Sequence, residues 1–253
     1  MPTLVLVRHG RTSANAGGVL AGRTPGVHLD ETGRTQVRRA GERLSTLPLA
    51  RIVTSPLERT VETAKALVAG QGDDRRAGLR LRRDKGLIEC GYGSWTGRPL
   101  KELAKEPLWR TVQAHPSGVV FPDGEAMAEV QHRSVAAVRR HDAETAQEHG
   151  DDAVWVAVSH GDVIKAILAD ALGLQLDQFQ RIVVDPASVS VIRYTALRPF
   201  VLHVNDLGSD LSPLRPQPRK RRRGRRAAAA ADSDAVLGGG SGSGSAAASG
   251  GGA

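Results

Sequence analysis

Along residues 1–205, short uninterrupted apolar runs alternate with longer amphipathic stretches. The runs at 3–7 and 153–158 lack the polar alternation of a half-exposed strand, so each predicts a strand buried on both faces. A shorter run at 51–54 predicts another buried strand. Further strands are predicted over 79–81, 181–184, 188–195 and 200–205.

The amphipathic stretches predict helices between these strands. Asp30 is a favoured N-cap residue for a helix that runs to about Leu47. Ser55 followed by Pro56 is typical of a capped helix start. Two more helices are predicted over 124–149 and 163–172. The alternation of buried strands and helices predicts the α/β fold class, as a three-layer α/β/α sandwich around a mostly parallel central sheet.

The composition changes near residue 206. Residues 1–205 suffice for one folded domain with a single core. Residues 206–253 carry an arginine-rich cluster at 219–226 and then a Gly/Ser/Ala-rich segment, which cannot bury enough apolar surface to offset its chain entropy. We therefore expect a disordered tail.

The tail holds eight basic and four acidic side chains and so contributes +4 of the net charge of +8. Its basic cluster could bind nucleic acid or an anionic membrane surface, but a solvated tail with only nonspecific affinity for polyanions is the favoured interpretation. The single cysteine, Cys90, excludes an intramolecular disulfide and a cysteine-based zinc site. No apolar window is long enough to span a membrane and no leader precedes the first strand, so a soluble cytoplasmic protein is expected.

The candidate chemistry lies where predicted strands end. The first strand is followed by Arg8-His9-Gly10, with Thr12 and Asn15 just beyond, and the strand at 153–158 is followed by Ser159-His160-Gly161. Strand-to-helix turns of an α/β sheet collect ligands at one edge, where helix N-termini attract anions. An imidazole can attack phosphorus and a guanidinium can hold phosphoryl oxygens, so this edge is predicted to bind a phosphoryl group.

Two more segments complete the constellation. Arg59 lies one turn into the helix after Ser55-Pro56-Leu57, and Glu89 lies in the glycine-rich loop 86–97. Each residue alone also has a purely structural explanation. Arg59 could pair with Glu62, and Glu125 is more typical of a helix N-terminus than of a catalyst. The occurrence of these motifs together in one chain is what favours phosphoryl transfer.

These segments resemble the histidine phosphatase superfamily, in its phosphoglycerate-mutase-like branch. The matching stretches lie in the family's order over residues 1 to about 205: 6–15, 55–64, the Glu89 loop, 123–125 and 159–162. The resemblance implies a phosphoglycerate mutase-like fold, with 1–205 as the catalytic domain. It also implies a small phosphorylated substrate, catalysis without metal or cofactor, and a homodimer.

The resemblance implies a role for each matching residue. His9 is the nucleophile that forms a phosphohistidine, and Glu89 is the general acid and later the general base. Arg8, Arg59 and His160 hold the phosphoryl oxygens, with hydrogen bonds from Asn15 and Thr12. His9 must attack as a neutral imidazole, and Glu89 must begin protonated, with a raised pKa.

Three functions stay open at this point. We expect a phosphomonoester hydrolase, because the family's mutases carry an adjacent arginine pair where this chain has only Arg110, and the run from there to Gly124 is short. The first alternative is a cofactor-dependent phosphoglycerate mutase. The second is a phospho-ligand or polyanion binding protein on the same scaffold. The alcohol part of the substrate is expected to bind in the loop from Cys90 to Phe121.

Overall fold

The computed structural model describes residues 2–208 and the backbone of two two-residue strands, Ala235–Val236 and Gly240–Ser241. Almost all of the tail expected to be disordered, 206–253, therefore lies outside the described residues. Asp206 belongs to the domain, because it ends a strand and its carboxylate accepts a hydrogen bond of 2.6 Å from Arg43 Nη2.

Within residues 2–208, six strands and eight α-helices follow one another along the chain. They are β1 (Thr3–Arg8), α1 (Ser13–Ala16), α2 (Glu31–Leu44), β2 (Leu49–Thr54), α3 (Glu58–Ala69), α4 (Asp73–Arg76), β3 (Leu81–Arg83), α5 (Leu100–Leu103), α6 (Leu108–Ala114), α7 (Met127–His149), β4 (Val154–Ser159), α8 (Gly161–Ala171), β5 (Val189–Arg193) and β6 (Phe200–Asp206). Short 3₁₀ turns lie at Lys85–Leu87, Gly93–Trp95, Pro116–Gly118 and Leu176–Arg181.

The strands form one sheet in the order β3-β2-β4-β1-β5-β6. The first four strands of that order are parallel to one another. Strand β5 runs antiparallel to both of its neighbours, β1 and β6. The predicted α/β class with a mostly parallel sheet is confirmed. The parallel strands β2, β4 and β1 are neighbours, so their carboxyl ends meet at one edge.

The sheet is covered on both faces, because successive side chains of its central strands point to opposite sides. In β1, Leu4 and Leu6 pack in the larger apolar cluster with residues of α7 and α8. Val5 and Val7 pack in a second cluster with residues of α2 and α3. The result is the three-layer sandwich that the unalternating apolar runs predicted.

Two element predictions were wrong at their starts. Ser55 does not cap α3: the helix begins at Glu58 with Leu57 as its N-cap, and Ser55 Oγ instead lies 2.7 Å from His160 Nε2. The long helix α7 begins at Met127. The preceding residues are not helical, because Ala126 is extended, with φ of −78° and ψ of 143°, and forms an antiparallel bridge with Val120.

The strand expected over 181–184 is absent from the described chain. Leu176–Arg181 forms a 3₁₀ turn, and the following apolar residues run as irregular backbone. Ile182 and Val184 are buried, which explains the strand-like pattern. The Val184 carbonyl accepts a hydrogen bond from Arg8 Nη1 at 2.6 Å, so this segment serves the carboxyl edge of the sheet. Over residues 2–208, no helix combines the length and apolarity that crossing a membrane requires.

Candidate active site

The predicted residues converge on one cavity at the carboxyl edge of the sheet. It begins where β1 ends at Arg8 and has a volume of about 100 Å³. Six of the seven predicted site residues line it: Arg8, His9, Thr12, Asn15, Arg59 and Glu89. The seventh, His160, is buried next to His9, with the two imidazole centroids 5.3 Å apart and the rings edge to face.

His9 is held in one orientation. Its backbone N–H donates to the Ser159 carbonyl at 3.0 Å, and its Nδ1 lies 2.7 Å from the Gly10 carbonyl oxygen. Because a carbonyl can only accept, the proton is assigned to Nδ1, and Nε2 carries the lone pair. Arg59 Nε donates to that lone pair at 3.3 Å. His9 lines the cavity, so a phosphoryl group bound there can replace Arg59 as the partner of Nε2.

Gly10 is required by close packing. A Cβ on Gly10 would lie 2.7 Å from the Gly33 carbonyl oxygen and from Val37 Cγ1, both in α2. The glycine lets helix α2 approach the turn that follows β1. This contact explains why the third position of the Arg8-His9-Gly10 motif has no side chain.

The surroundings of both histidines favour the neutral imidazole by lowering its pKa. Burial, and after it the positive charge of Arg59, holds the pKa of His9 well below its ordinary value. The same two causes hold the pKa of His160 well below its ordinary value. A neutral His9 is a competent nucleophile, since protonation would occupy its lone pair.

Two buried guanidinium groups flank His9. Arg59 lies in the first turn of α3, where its Nη2 donates to the Gly22 carbonyl at 2.7 Å, and its Nη1 is buried with no hydrogen-bond partner among the described residues. Arg8 is 4% exposed and Arg59 is 2% exposed. Burial lowers the pKa of both groups, and the negative charge of Glu89 opposes that effect. Such a concentration of buried donors suits a phosphoryl dianion.

Glu89 has the environment of a general acid. It is 5% exposed, and its Oε1 accepts a hydrogen bond of 3.0 Å from the Cys90 N–H. Burial, and after it the charge of Asp162, raises the pKa of Glu89 to about 7, although Arg59 opposes the shift. Its Oε2 lies 3.8 Å from His160 Nδ1. The carboxyl group is thus buried beside His160, and with a pKa of about 7 it is about half protonated at neutral pH.

Thr12 and Asn15 line the cavity but also bind each other. The Thr12 N–H and hydroxyl both donate to Asn15 Oδ1 at 3.0 Å, and the Asn15 N–H donates to Thr12 Oγ1 at 3.2 Å. This reciprocal arrangement is a capping box at the start of α1. The capping box occupies the Thr12 hydroxyl. It leaves the side-chain nitrogen of Asn15, Nδ2, as the donor available to a ligand.

Glu125 holds the Glu89 loop in place, although it precedes the helix whose first turn it was predicted to join. Its carboxylate accepts hydrogen bonds from the Gly91 N–H at 2.9 Å, from Arg23 at 2.7 Å and from Arg133 at 2.7 Å. Both arginines also donate to the Glu89 carbonyl oxygen, at 2.8 and 3.2 Å. Glu125 is therefore a positioning residue for Glu89. In the sequence, this acid stands in the stretch 123–125, where its position predicts a helix N-terminus rather than a support for Glu89.

The Glu125→Gln variant is expected to lower kcat/KM for alkyl phosphates by about tenfold to a hundredfold, because a misplaced acid transfers its proton poorly. Aryl phosphates, whose leaving groups need little protonation, are expected to lose less than about threefold. Steady-state kinetics on both ester classes checks this. Glu129→Gln, two residues into α7, is the matched control. An equal loss on both ester classes would show a general structural defect instead.

Sequence reasoning missed part of the cavity wall. It also missed the role of Ser55, which contacts His160 instead of capping a helix. Of the described residues between Cys90 and Phe121, only Tyr92 and Leu100 line the cavity. The rest of the wall comes from other segments: Ala14, Gly18, Val19, Leu20, Ala21, Gly22, Asp185 and Pro186. These residues form no recognisable motif, and nothing in the sequence places 185–186 beside His9.

The fold and this cavity together define an enzyme of phosphoryl transfer. Residues 4–207 match the histidine phosphatase superfamily (branch 1), and the chain belongs to this superfamily. It is similar to an acid phosphatase of Mycobacterium tuberculosis, with 33% identity over 192 residues, 74% of this chain and 84% of the relative. It is also similar to a probable phosphoglycerate mutase of Yersinia enterocolitica, with 30% identity over 77% of this chain and 86% of the relative.

Among solved structures, Bacillus stearothermophilus YhfR superposes with a TM-score of 0.72 and 27% identity, over 81% of this chain and 98% of that one. Membership in this superfamily makes the chain a histidine phosphatase and favours an enzyme over a binding protein on the same scaffold. The names of the relatives include both phosphatases and mutases, so the substrate does not follow from similarity.

Proposed function

We propose that the chain hydrolyses phosphomonoesters of small metabolites through a phosphohistidine on His9. The observation that carries this proposal is the orientation of His9. Its Nδ1 is bound to the Gly10 carbonyl, and its Nε2 faces the cavity beside Arg59. An imidazole held in this way, neutral and next to buried guanidinium groups, is prepared to attack a phosphoryl group.

In the first half-reaction, His9 Nε2 forms a bond to phosphorus as the ester P–O bond breaks. The proton of Glu89 passes to the departing oxygen, which leaves as an alcohol. In the second half-reaction, the Glu89 carboxylate takes a proton from water as the water oxygen attacks phosphorus. The P–N bond breaks, inorganic phosphate leaves, and both residues return to their starting states.

The positive charge for this reaction comes from side chains. Arg59 Nη1, without a hydrogen-bond partner among the described residues, and Arg8 bind the phosphoryl oxygens. Asn15 adds a neutral donor. His160 adds a second neutral donor. When its Nε2 accepts a hydrogen bond from the Ser55 hydroxyl, 2.7 Å away, its Nδ1 carries the proton and donates a hydrogen bond to a phosphoryl oxygen. Because these groups neutralise the developing charge, the reaction needs no metal ion.

Hydrolysis is favoured over mutase activity by the position of Arg110. A mutase must bind a strongly anionic substrate and return the phosphoryl group to a second hydroxyl. Arg110, in α6, is exposed and is absent from the cavity lining of the described chain. No adjacent arginine pair stands near it in the sequence. The cavity therefore offers little to retain a bisphosphorylated or carboxylated intermediate.

One assay distinguishes the two activities. The full chain is incubated with 3-phosphoglycerate and 2,3-bisphosphoglycerate, and separately with a panel of phosphomonoesters, each with and without EDTA. We expect phosphate release from the panel at rates that EDTA leaves unchanged. Efficient formation of 2-phosphoglycerate would instead establish the mutase. Absence of turnover on every ester would support a phospho-ligand binding protein.

A further inference from the structure

The cavity lining carries one charged group that the chemistry above does not use. Among the described residues that line the cavity, Arg8, Arg59 and Glu89 serve the phosphoryl group, and Asp185 is the remaining charged side chain. The lining also includes the apolar residues Val19, Leu20, Ala21, Leu100 and Pro186. Asp185 is therefore the side chain of this wall that can choose between alcohols by charge.

Asp185 is held firmly by Asn205 of the edge strand β6. The Asp185 N–H donates to Asn205 Oδ1 at 2.6 Å, and Asn205 Nδ2 donates to Asp185 Oδ2 at 2.9 Å. Asn205 itself adopts a left-handed backbone conformation, with φ of 55°. One carboxylate oxygen is thus fixed by the amide, which aims the carboxyl group without neutralising it.

The turn that carries Asp185 is joined to the end of β1. The Ala187 N–H donates to the carbonyls of Arg8 and His9 at 3.2 and 3.1 Å, and the Arg8 N–H donates to the Ser188 carbonyl at 3.2 Å. Ala187 has φ of 61°, a conformation that alanine disfavours and that persists here under these bonds. Strained backbone of this kind concentrates at functional sites. The turn therefore places Asp185 at a set distance from the nucleophile.

Among the described residues that line the cavity, only Arg8 and Arg59 carry a fixed positive charge, and both serve the phosphoryl group. Over residues 2–208, the arginines of the flanking loops bind carboxylates: Arg11 binds Asp30, Arg23 binds Glu125, and Arg98 binds Glu106. A carboxylate or second phosphate beside Asp185 would meet its negative charge. An ammonium or hydroxyl group there would donate to it.

We propose that Asp185 is a specificity residue, which selects phosphomonoesters whose alcohol carries an ammonium or hydroxyl donor and no second anionic group. This inference rests on the proposed function and names its substrate class. Glycerol 3-phosphate and phosphoethanolamine represent the accepted class. 3-Phosphoglycerate and 2-phosphoglycolate, in which a carboxylate takes the place of the donor, represent the rejected class.

Asp185 could act differently, by supporting the charge of Arg8. Burial lowers the pKa of Arg8, and the charges of Glu89 and then Asp185 oppose that shift. A residue that only supports Arg8 affects the phosphoryl end of every substrate alike. A specificity residue changes the ratio between substrates. The ratio is therefore the quantity to measure.

The test compares kcat/KM of the full chain and its Asp185→Asn variant on the two matched pairs, with p-nitrophenyl phosphate as a common reference. We expect the wild type to prefer glycerol 3-phosphate over 3-phosphoglycerate by at least about tenfold, and the variant to lose about tenfold of that preference. Turnover of the reference ester is expected to stay within about threefold of wild type. Asp74→Asn removes the same charge from the exposed surface of α4 and serves as the control.

The outcomes separate the two claims. If no ester is hydrolysed, the proposed function fails. If esters are hydrolysed but 3-phosphoglycerate is used as well as glycerol 3-phosphate, the inference about Asp185 fails and the proposed function stands. An equal loss on all esters in Asp185→Asn would likewise overturn the inference and assign Asp185 to the support of Arg8.

Discussion

Replacing Glu89 with glutamine is expected to lower kcat/KM for alkyl phosphates by about a hundred- to ten-thousandfold, the usual contribution of a positioned general acid. Glutamine keeps the shape of the side chain and its bond from the Cys90 N–H. It cannot deliver a proton to an alkoxide, which is a poor leaving group. The measurement is steady-state kcat/KM on glycerol 3-phosphate, because this parameter reports the first irreversible step.

Aryl esters provide the control for this variant. p-Nitrophenolate leaves without protonation, so Glu89→Gln is expected to lose less than about tenfold in kcat/KM on p-nitrophenyl phosphate. In this variant, hydrolysis of the phosphohistidine still lacks the Glu89 carboxylate as its general base. A burst of p-nitrophenol followed by slow turnover is therefore expected. A loss that is the same for alkyl and aryl esters would remove Glu89 from its assigned role.

The pH dependence of kcat/KM gives a second measure of Glu89. With a pKa raised to about 7, its carboxyl group loses its proton as the pH rises through neutrality. Wild-type kcat/KM on alkyl phosphates is therefore expected to fall above about pH 7, and the fall is expected to vanish in Glu89→Gln. Ionisation of the substrate affects both proteins equally, so the ratio of the two profiles isolates Glu89. A ratio that does not change with pH would contradict the assignment.

The His9→Ala variant is expected to lose at least about ten-thousandfold in kcat/KM on alkyl and aryl esters alike. Removing the nucleophile leaves no atom to receive the phosphoryl group, whatever the leaving group. Circular dichroism is expected to show an unchanged fold, since the backbone bond of His9 to Ser159 is retained. His132→Ala, an exposed histidine of α7, is the matched control and is expected to keep wild-type activity. Substantial turnover by His9→Ala would show that another group attacks phosphorus.

The central layer of the fold could be predicted because its strands are apolar on both faces. The runs that became β1 and β4 admit no other placement than the middle of a covered sheet. The segment 181–184 has the same composition and is not a strand. Its Val184 carbonyl binds Arg8, a tertiary contact that local sequence does not encode. The prediction that Ser55 caps a helix was wrong for a similar reason, because its hydroxyl makes a tertiary hydrogen bond to His160 instead.

The phosphoryl end of the site could be predicted because its residues follow buried strands in recognisable motifs. The alcohol end could not. Asp185 lies 176 positions after His9, and only the antiparallel addition of β5 beside β1 brings the two together. The segment 14–22 is short and rich in glycine and alanine, so it has no pattern that marks a cavity wall. Chemistry on phosphorus is therefore encoded locally, whereas substrate choice depends on tertiary packing.

The most direct test of the phosphohistidine is to trap it. The enzyme is mixed with ³²P-labelled p-nitrophenyl phosphate, quenched in base within one turnover, digested, and analysed by mass spectrometry under conditions that preserve acid-labile phosphoramidates. We expect one phosphate on Nε2 of His9, stable in base and lost in acid, and none in His9→Ala. Phosphate on His160 or any other residue, or single-turnover hydrolysis without a labelled enzyme, would contradict the account.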